Sequence, residues 1–196
     1  MPVLPYIFFR RPPRRRARRK RIVPALPAHR FADGATIVYL GHGYRLRVTQ
    51  DAGLPQGCRL VPRRLTVNIH DKELSGKNLH AEVRLEILLW IKRRARVKFQ
   101  RRVDLWAGRM GVACQRLIVS NPRSRWGSCN AGNVVRLNWR LMLAPLPLLD
   151  YVVAHELSHV AHKNHSKNFW DFLAAAMPDC RERRRRLRSL EREFIL

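Results

Sequence analysis

From Ala35 to Val48, apolar residues such as Ile37, Tyr39, Leu46 and Val48 alternate with others, and Gly41-His42-Gly43 interrupts the alternation. A period of two with a glycine-rich break predicts a β-hairpin. Leu54-Pro55-Gln56-Gly57 reads as a turn or loop, and Leu65 to Ile69 as a further strand. These elements make a small β region over residues 31–77. The period then changes. Leu79, Val83, Ile87, Trp90 and Ile91 recur at steps of three and four, which predicts a helix from Asn78 to about Ala107, with Gly108 and Gly111 marking its end.

Arg116 to Ser120 reads as a strand, Pro122 to Gly132 as a loop, and Val134 to Trp139 as another strand. An apolar run, Leu148 to Ala154, follows Pro145 and Pro147, and proline is tolerated in a first helical turn. A helix is expected from about Pro147 to His162. A last helical region starts near Ser166 and is broken at Pro178. Leu187, Leu190 and Phe194 recur at helical spacing through the basic cluster Arg181–Arg188, which predicts a packed C-terminal helix with a charged face. The order of elements is that of an α+β fold, with residues 78–196 as its main domain. No internal repeat is visible.

Within the buried helix stands His155-Glu156-Leu157-Ser158-His159, an H-E-x-x-H sequence. Residues i and i+4 of a helix lie about 40° apart around the axis and roughly 6 Å along it. Two imidazoles so placed reach one Zn²⁺, and the intervening Glu156 sits where it can take a proton from zinc-bound water. Two histidines compete to be a third ligand. His162 stays on the ligand face of a continued helix but lies roughly 10 Å from His155 along the axis. His165 is rotated about 80° off that face unless the chain leaves the helix after His159. Lys163-Asn164 offers such an exit, because asparagine tolerates the left-handed conformation that ends helices. Ser166 then caps the next helix. His165 is the expected ligand and His162 a helix-end group. Three protein ligands leave a position for water, the catalytic pattern.

The residues around this motif carry a resemblance. Ser124-Arg125-Trp126-Gly127-Ser128-Cys129 resembles the R-W-G-S-C motif of YgjP-like metallopeptidases. Leu137 to Leu141 resembles the strand that follows it there. Asp150 to Val153, leading into the H-E-x-x-H residues, looks like the family's active-site helix. Asn164-His165-Ser166 with Phe169-Trp170 looks like its third-ligand segment. The likeness is strongest from about Arg116 to Trp170 and weaker at Phe31 to Gly34 and Tyr39 to Gly41. It implies a zincin-like domain with an active-site helix and a small antiparallel sheet. It also implies Zn²⁺ on His155, His159 and His165 with Glu156 as general base; it does not imply the substrate, and the H-E-x-x-H motif itself reads as hydrolysis of a peptide bond in a protein or peptide substrate. The resemblance offers no counterpart to residues 1–30.

In zincin-like sites the substrate adds as an extended strand at a sheet edge, and Val134 to Asn138 is the expected edge. Trp126 and Cys129 would shape the cleft or fill the core beneath it. Tyr151, one turn before His155, would help to hold an oxyanion or simply pack. The four cysteines, Cys58, Cys114, Cys129 and Cys180, form no C-x-x-C pair, so a second zinc site of the finger type is not expected.

Charge adds a second theme. Forty Lys and Arg against 14 Asp and Glu give a net charge of +26. Such a surplus suits polyanions, and it also suits a solvated, arginine-rich surface. Arg10 to Arg21 is nearly all arginine, and no acidic residue precedes Asp33. Crowded like charges predict a disordered arm over residues 1–30. The apolar stretch Val3 to Phe9 precedes the basic run, the reverse of a secretory signal, and no apolar run is long enough to cross a membrane. A cytoplasmic protein is expected. Two function classes follow: a zinc peptidase, or a nucleic-acid-associated protein whose zinc is structural. A peptidase recruited to nucleic acid by its arm combines them.

Overall fold

The computed structural model describes residues 31–122 and 124–190; the expected arm and Phe194 lie outside them. The chain is α+β. Strands β1 (Thr36–Tyr39), β2 (His42–Thr49), β3 (Gly57–Val61) and β4 (Arg64–Asn68) come first, followed by α1 (Gly76–Met110). Then come β5 (Arg116–Ser120), β6 (Gly127–Cys129), β7 (Val134–Asn138) and a 3-10 turn at Trp139–Met142. Helices α2 (Leu146–Ala161), α3 (Lys167–Ala176) and α4 (Cys180–Leu190) complete the described chain.

The first sheet has the order β1-β2-β4-β3. β1 and β2 form the expected hairpin, with Tyr39 opposite His42. Its two-residue turn is Leu40-Gly41, both at positive φ (50° and 78°), the twist that a tight hairpin favours. A Cβ on Gly41 would lie 2.8 Å from Pro145. The backbone N–H groups of Leu40 and Gly41 donate to the carbonyls of Met142 and Leu143, at 2.7 and 3.1 Å. The hairpin tip is therefore pinned against the entry to α2. β2 and β4 are parallel, and β3 returns antiparallel beside β4. The expected loop at Leu54–Gly57 leads straight into β3, a short strand that the sequence reading did not predict.

α1 is longer than its periodicity indicated, at 35 residues. Gly108 is helical. Gly111 ends the helix in the left-handed conformation, and the N–H of Val112 bonds back to the Ala107 carbonyl. The helix lies along both sheets and α2. No helix among the described residues is long and apolar enough to cross a membrane.

The second sheet corrects an expectation. Its order is β5-β7-β6, with β5 and β7 parallel and β6 antiparallel to β7. It is mixed, not antiparallel, because the chain passes from β5 through the Pro122 loop and β6 before β7 forms. β7, the expected free edge, is the central strand. Residue 138 organises this arrangement. Buried Asn138 donates from Nδ2 to the carbonyls of Pro122 and Arg125, at 3.0 and 3.1 Å. Its backbone N–H donates to the Trp126 carbonyl at 2.8 Å. One amide thus shapes the loop that delivers β6.

Every residue of α2 from Leu148 to Ala154 is buried. One position in this run is charged. Asp150 receives two hydrogen bonds from Arg102 of α1, at 2.6 and 2.7 Å, in a bidentate pair. Removing one partner of a buried pair strands the other charge, whereas replacing both by apolar groups is often neutral. Asp150→Ala is expected to lower stability by about 3–5 kcal/mol. Arg102→Met with Asp150→Leu should recover most of it in thermal or urea unfolding. A double variant as weak as the single one would show that the ionic pair itself holds α1 on α2.

Candidate active site

α2 carries His155, Glu156 and His159, and the chain leaves it at His162. The exit differs from the one expected at Asn164. His162 takes an extended conformation (φ −130°, ψ 103°), and Asn164 does not adopt positive φ. The turn is held instead by His162 N–H on the Ser158 carbonyl and by Asn164 Oδ1, which accepts from Ser166 N–H at 3.3 Å. Ser166 precedes α3 but makes no side-chain cap.

This exit returns His165 to the other two histidines. One nitrogen from each of His155, His159 and His165 lies within 4.8 Å of the others. His155 Nε2 and His165 Nε2 are 3.1 Å apart. Two nitrogens on one zinc at tetrahedral angles stand roughly 3.3–3.4 Å apart, so the donor set fits a divalent metal. No cysteine joins this cluster. His159 Nδ1 lies 3.1 Å from the His162 carbonyl, which only accepts. His159 therefore donates from Nδ1 and turns Nε2 toward the cluster, the orientation that ligand histidines commonly take. His162 contributes through its backbone, and its ring packs on Phe172.

Phe169, fully buried, sits beneath all three imidazoles, with ring centroids 5.0, 4.7 and 4.7 Å from His155, His159 and His165. Trp170 flanks His155 and His165 at 6.0 and 5.8 Å. His155 Nδ1 is buried without a hydrogen-bond partner, so packing rather than a hydrogen bond orients this ring. Burial, then the neighbouring His159 and His165, pushes the His155 pKa down to about 3. Burial also lowers that of His159. Both rings are therefore held neutral, the state that binds metal.

Glu156 packs against Gly127 of β6. It is 6% exposed. A Cβ on Gly127 would meet Glu156 Cγ and Oε1 at 2.7 Å. Only glycine admits the carboxylate here, and the reason is space, because Gly127 does not have positive φ. The N–H of Cys129 donates to the same carboxylate. Burial raises the Glu156 pKa to about 7, against the opposing pull of Arg125 and the Cys129 N–H. A carboxyl group with such a pKa changes protonation state near neutral pH.

The model of the YgjP-like, metallopeptidase domain family matches residues 14–190. The chain belongs to the YgjP-like metallopeptidase family. No curated protein and no solved structure matches it. The family match enters the basic arm at residue 14, a segment for which the motif resemblance offered no counterpart. Family membership implies a divalent metal and a peptide substrate.

Within this YgjP-like domain, the R-W-G-S-C residues meet the H-E-x-x-H residues through Gly127 and Cys129. Trp126 is half-buried against the core. The Cys129 thiol is half-buried, and burial raises its pKa. Tyr151 is buried with its ring 5.8 Å from that of His155, and burial pushes its pKa up to about 12. Sequence reasoning missed the clamp at Gly127 and the platform at Phe169. The glycine next to Trp126 was visible in the motif, but nothing in one chain said what approaches it.

Two outcomes follow. Gly127→Ala is expected to push Glu156 off the Cys129 N–H and cut peptide hydrolysis by about a hundredfold, since small misplacements of a catalytic group cost that much. Metal content should stay the same, and full activity would show that Glu156 tolerates the added methyl. Glu156 has a folded pKa above its unfolded value of 4.5. Its ionised form therefore opposes folding, and that loss grows as pH rises from about 4.5 through about 7. Metal-free Glu156→Gln should gain on the parent across this range, by up to about 3 kcal/mol at pH 8. A pH-independent difference in melting would contradict the burial argument.

Proposed function

We propose that this protein is a zinc-dependent peptidase that hydrolyses peptide bonds with Glu156 as general base. The observation that carries the reading is the convergence of His155, His159 and His165, two of them on the helix that also carries buried Glu156. A zinc ion held there supplies a Lewis acid and an acidified water. His155, His159 and His165 are its ligands, presented neutral and oriented by the His162 carbonyl, Phe169 and Trp170. Glu156 takes a proton from the attacking water at its carboxylate and returns it to the leaving amine. β6 is the edge strand that faces α2, and the substrate backbone pairs along it.

A structural zinc in a nucleic-acid-associated protein is less well supported. Three ligands and an exposed His165 leave a side of the cluster open, whereas structural sites close with four. Zinc per chain tests the site that both readings share, and Glu156→Gln and chelation separate them. The parent is expected to hold about one equivalent and His159→Ala little. Glu156→Gln should keep the metal and lose hydrolysis of a casein or peptide-library substrate. Undiminished hydrolysis by Glu156→Gln would remove the general-base role, and loss of the fold on chelation would favour a structural metal.

A further inference from the structure

α4 places Arg181, Arg184, Arg185 and Arg188 at i, i+3, i+4 and i+7, which is one face of a helix. With Trp170 they line a cavity of about 370 Å³. The sequence predicted this cluster as the charged face of a packed C-terminal helix. Cys180 and Leu187 do anchor the helix in the core, but the arginine face borders the metal site. Trp170 is the shared wall. Its ring packs beside His155 and His165, and the Arg184 guanidinium lies 4.7 Å from its centroid. Among the described residues, no acidic side chain makes an ion pair with any of these four arginines. The nearby Arg183 is different: it is paired with Asp179 and bonded to the Pro147 carbonyl.

Four guanidinium groups on one helix face repel one another, and an anion offsets that repulsion. Guanidinium forks match carboxylate and phosphate geometry equally well. Position and surroundings favour carboxylate. The cavity shares Trp170 with the histidine cluster, which puts it within reach of the side chain or terminus of a peptide extended over the metal. A nucleic-acid strand would use Trp170 for base stacking. That ring is already engaged by Arg184, His155, His165 and Phe169.

We infer that this arginine-walled cavity is a subsite for a carboxylate of the peptide substrate, either an acidic side chain or the free C-terminus. The inference rests on the peptidase reading and names the substrate class for it. The preference is for peptides that place a carboxylate a few residues from the scissile bond.

The test uses the zinc-loaded full chain carrying Glu156→Gln, with fluorescence anisotropy at about 0.15 M salt, where distant surface charges are screened. The probes are labelled peptides that differ only in carrying a pair of aspartates, a pair of asparagines with an amidated end, or the asparagines with a free carboxyl end. A labelled thymidine oligonucleotide is the fourth probe. Adding Arg181→Gln with Arg185→Gln should weaken a carboxylate-bearing peptide about tenfold and spare the neutral one. The peptide that responds identifies the source of the carboxylate. Arg188→Gln alone should give the same pattern. Arg96→Gln with Arg101→Gln, a charge-matched pair on exposed positions of α1, should not.

Equal weakening by both pairs would reduce the effect to general charge and overturn the subsite. Weakening confined to the oligonucleotide would make it a phosphate site instead. Cleavage of the same peptides with Glu156 restored separates the two ideas. Selective binding without any cleavage would strike the peptidase reading alone. Cleavage without selectivity would strike the subsite alone.

Discussion

An apolar helix threaded through the core must carry two imidazoles and a carboxylate, and the rest of the structure is arranged around that burden. Residues 148–154 of α2 are buried without interruption, and buried polar groups are costly unless partnered. Most of these groups are compensated, and His155 Nδ1 is left without a hydrogen-bond partner. Asp150 meets Arg102 in a bidentate pair. Buried Ser158 returns its hydroxyl to the Ala154 carbonyl. Glu156 takes the Cys129 N–H and otherwise bears its burial as a raised pKa. His155 and His159 stay neutral. The strain of burying such groups is concentrated where chemistry can use it, as perturbed pKa values tend to be.

The two sides of α2 divide the labour. One side turns the histidines toward the exit of the helix, where the His162 carbonyl, Phe169 and Trp170 fix the rings. The other presses Glu156 onto β6, where Gly127 makes room and Cys129 provides a donor. Both sides depend on remote anchors. Asn138 holds the loop that delivers β6, and the tip of the β1–β2 hairpin docks on Leu143 and Pro145 where α2 begins. The first sheet therefore serves the site without contributing a residue to it.

Much of this was legible in the chain. The 3.6-residue period marked α1, an apolar run after two prolines marked α2, and the spacing of His155 and His159 placed both on one helix face before any coordinates. His165 followed because the chain had to leave the helix to bring it back. The route of that exit was not legible. Asparagine tolerates left-handed φ but does not require it, and His162 leaves the helix in an extended conformation instead. Strand order was hidden for a similar reason. β6 is three residues of Gly, Ser and Cys, with no alternation to announce it, so β7 looked like an edge when it is the centre. Parallel pairing of β5 with β7 depends on a connection whose shape is set by Asn138, a long-range hydrogen-bond hub that no local pattern encodes.

Charge is where composition alone said least and position says most. A surplus of arginine in the sequence is compatible with a solvated surface, with polyanion binding, or with both. Position separates these readings for one cluster. Arg184 lies close enough to act on His155, lowering its pKa beyond the effect of burial, and it also acts on Tyr151. Arg125 acts on Glu156 from the opposite side. The site thus combines neutral imidazoles, the Glu156 carboxylate and flanking guanidinium groups. Such a field disfavours cationic peptides and draws in anionic ones. It also keeps protons off the imidazoles that a metal needs. One arrangement of charge thereby protects the metal-binding state and biases what can approach it, which ties the basic character of this chain to its chemistry and not only to its surface.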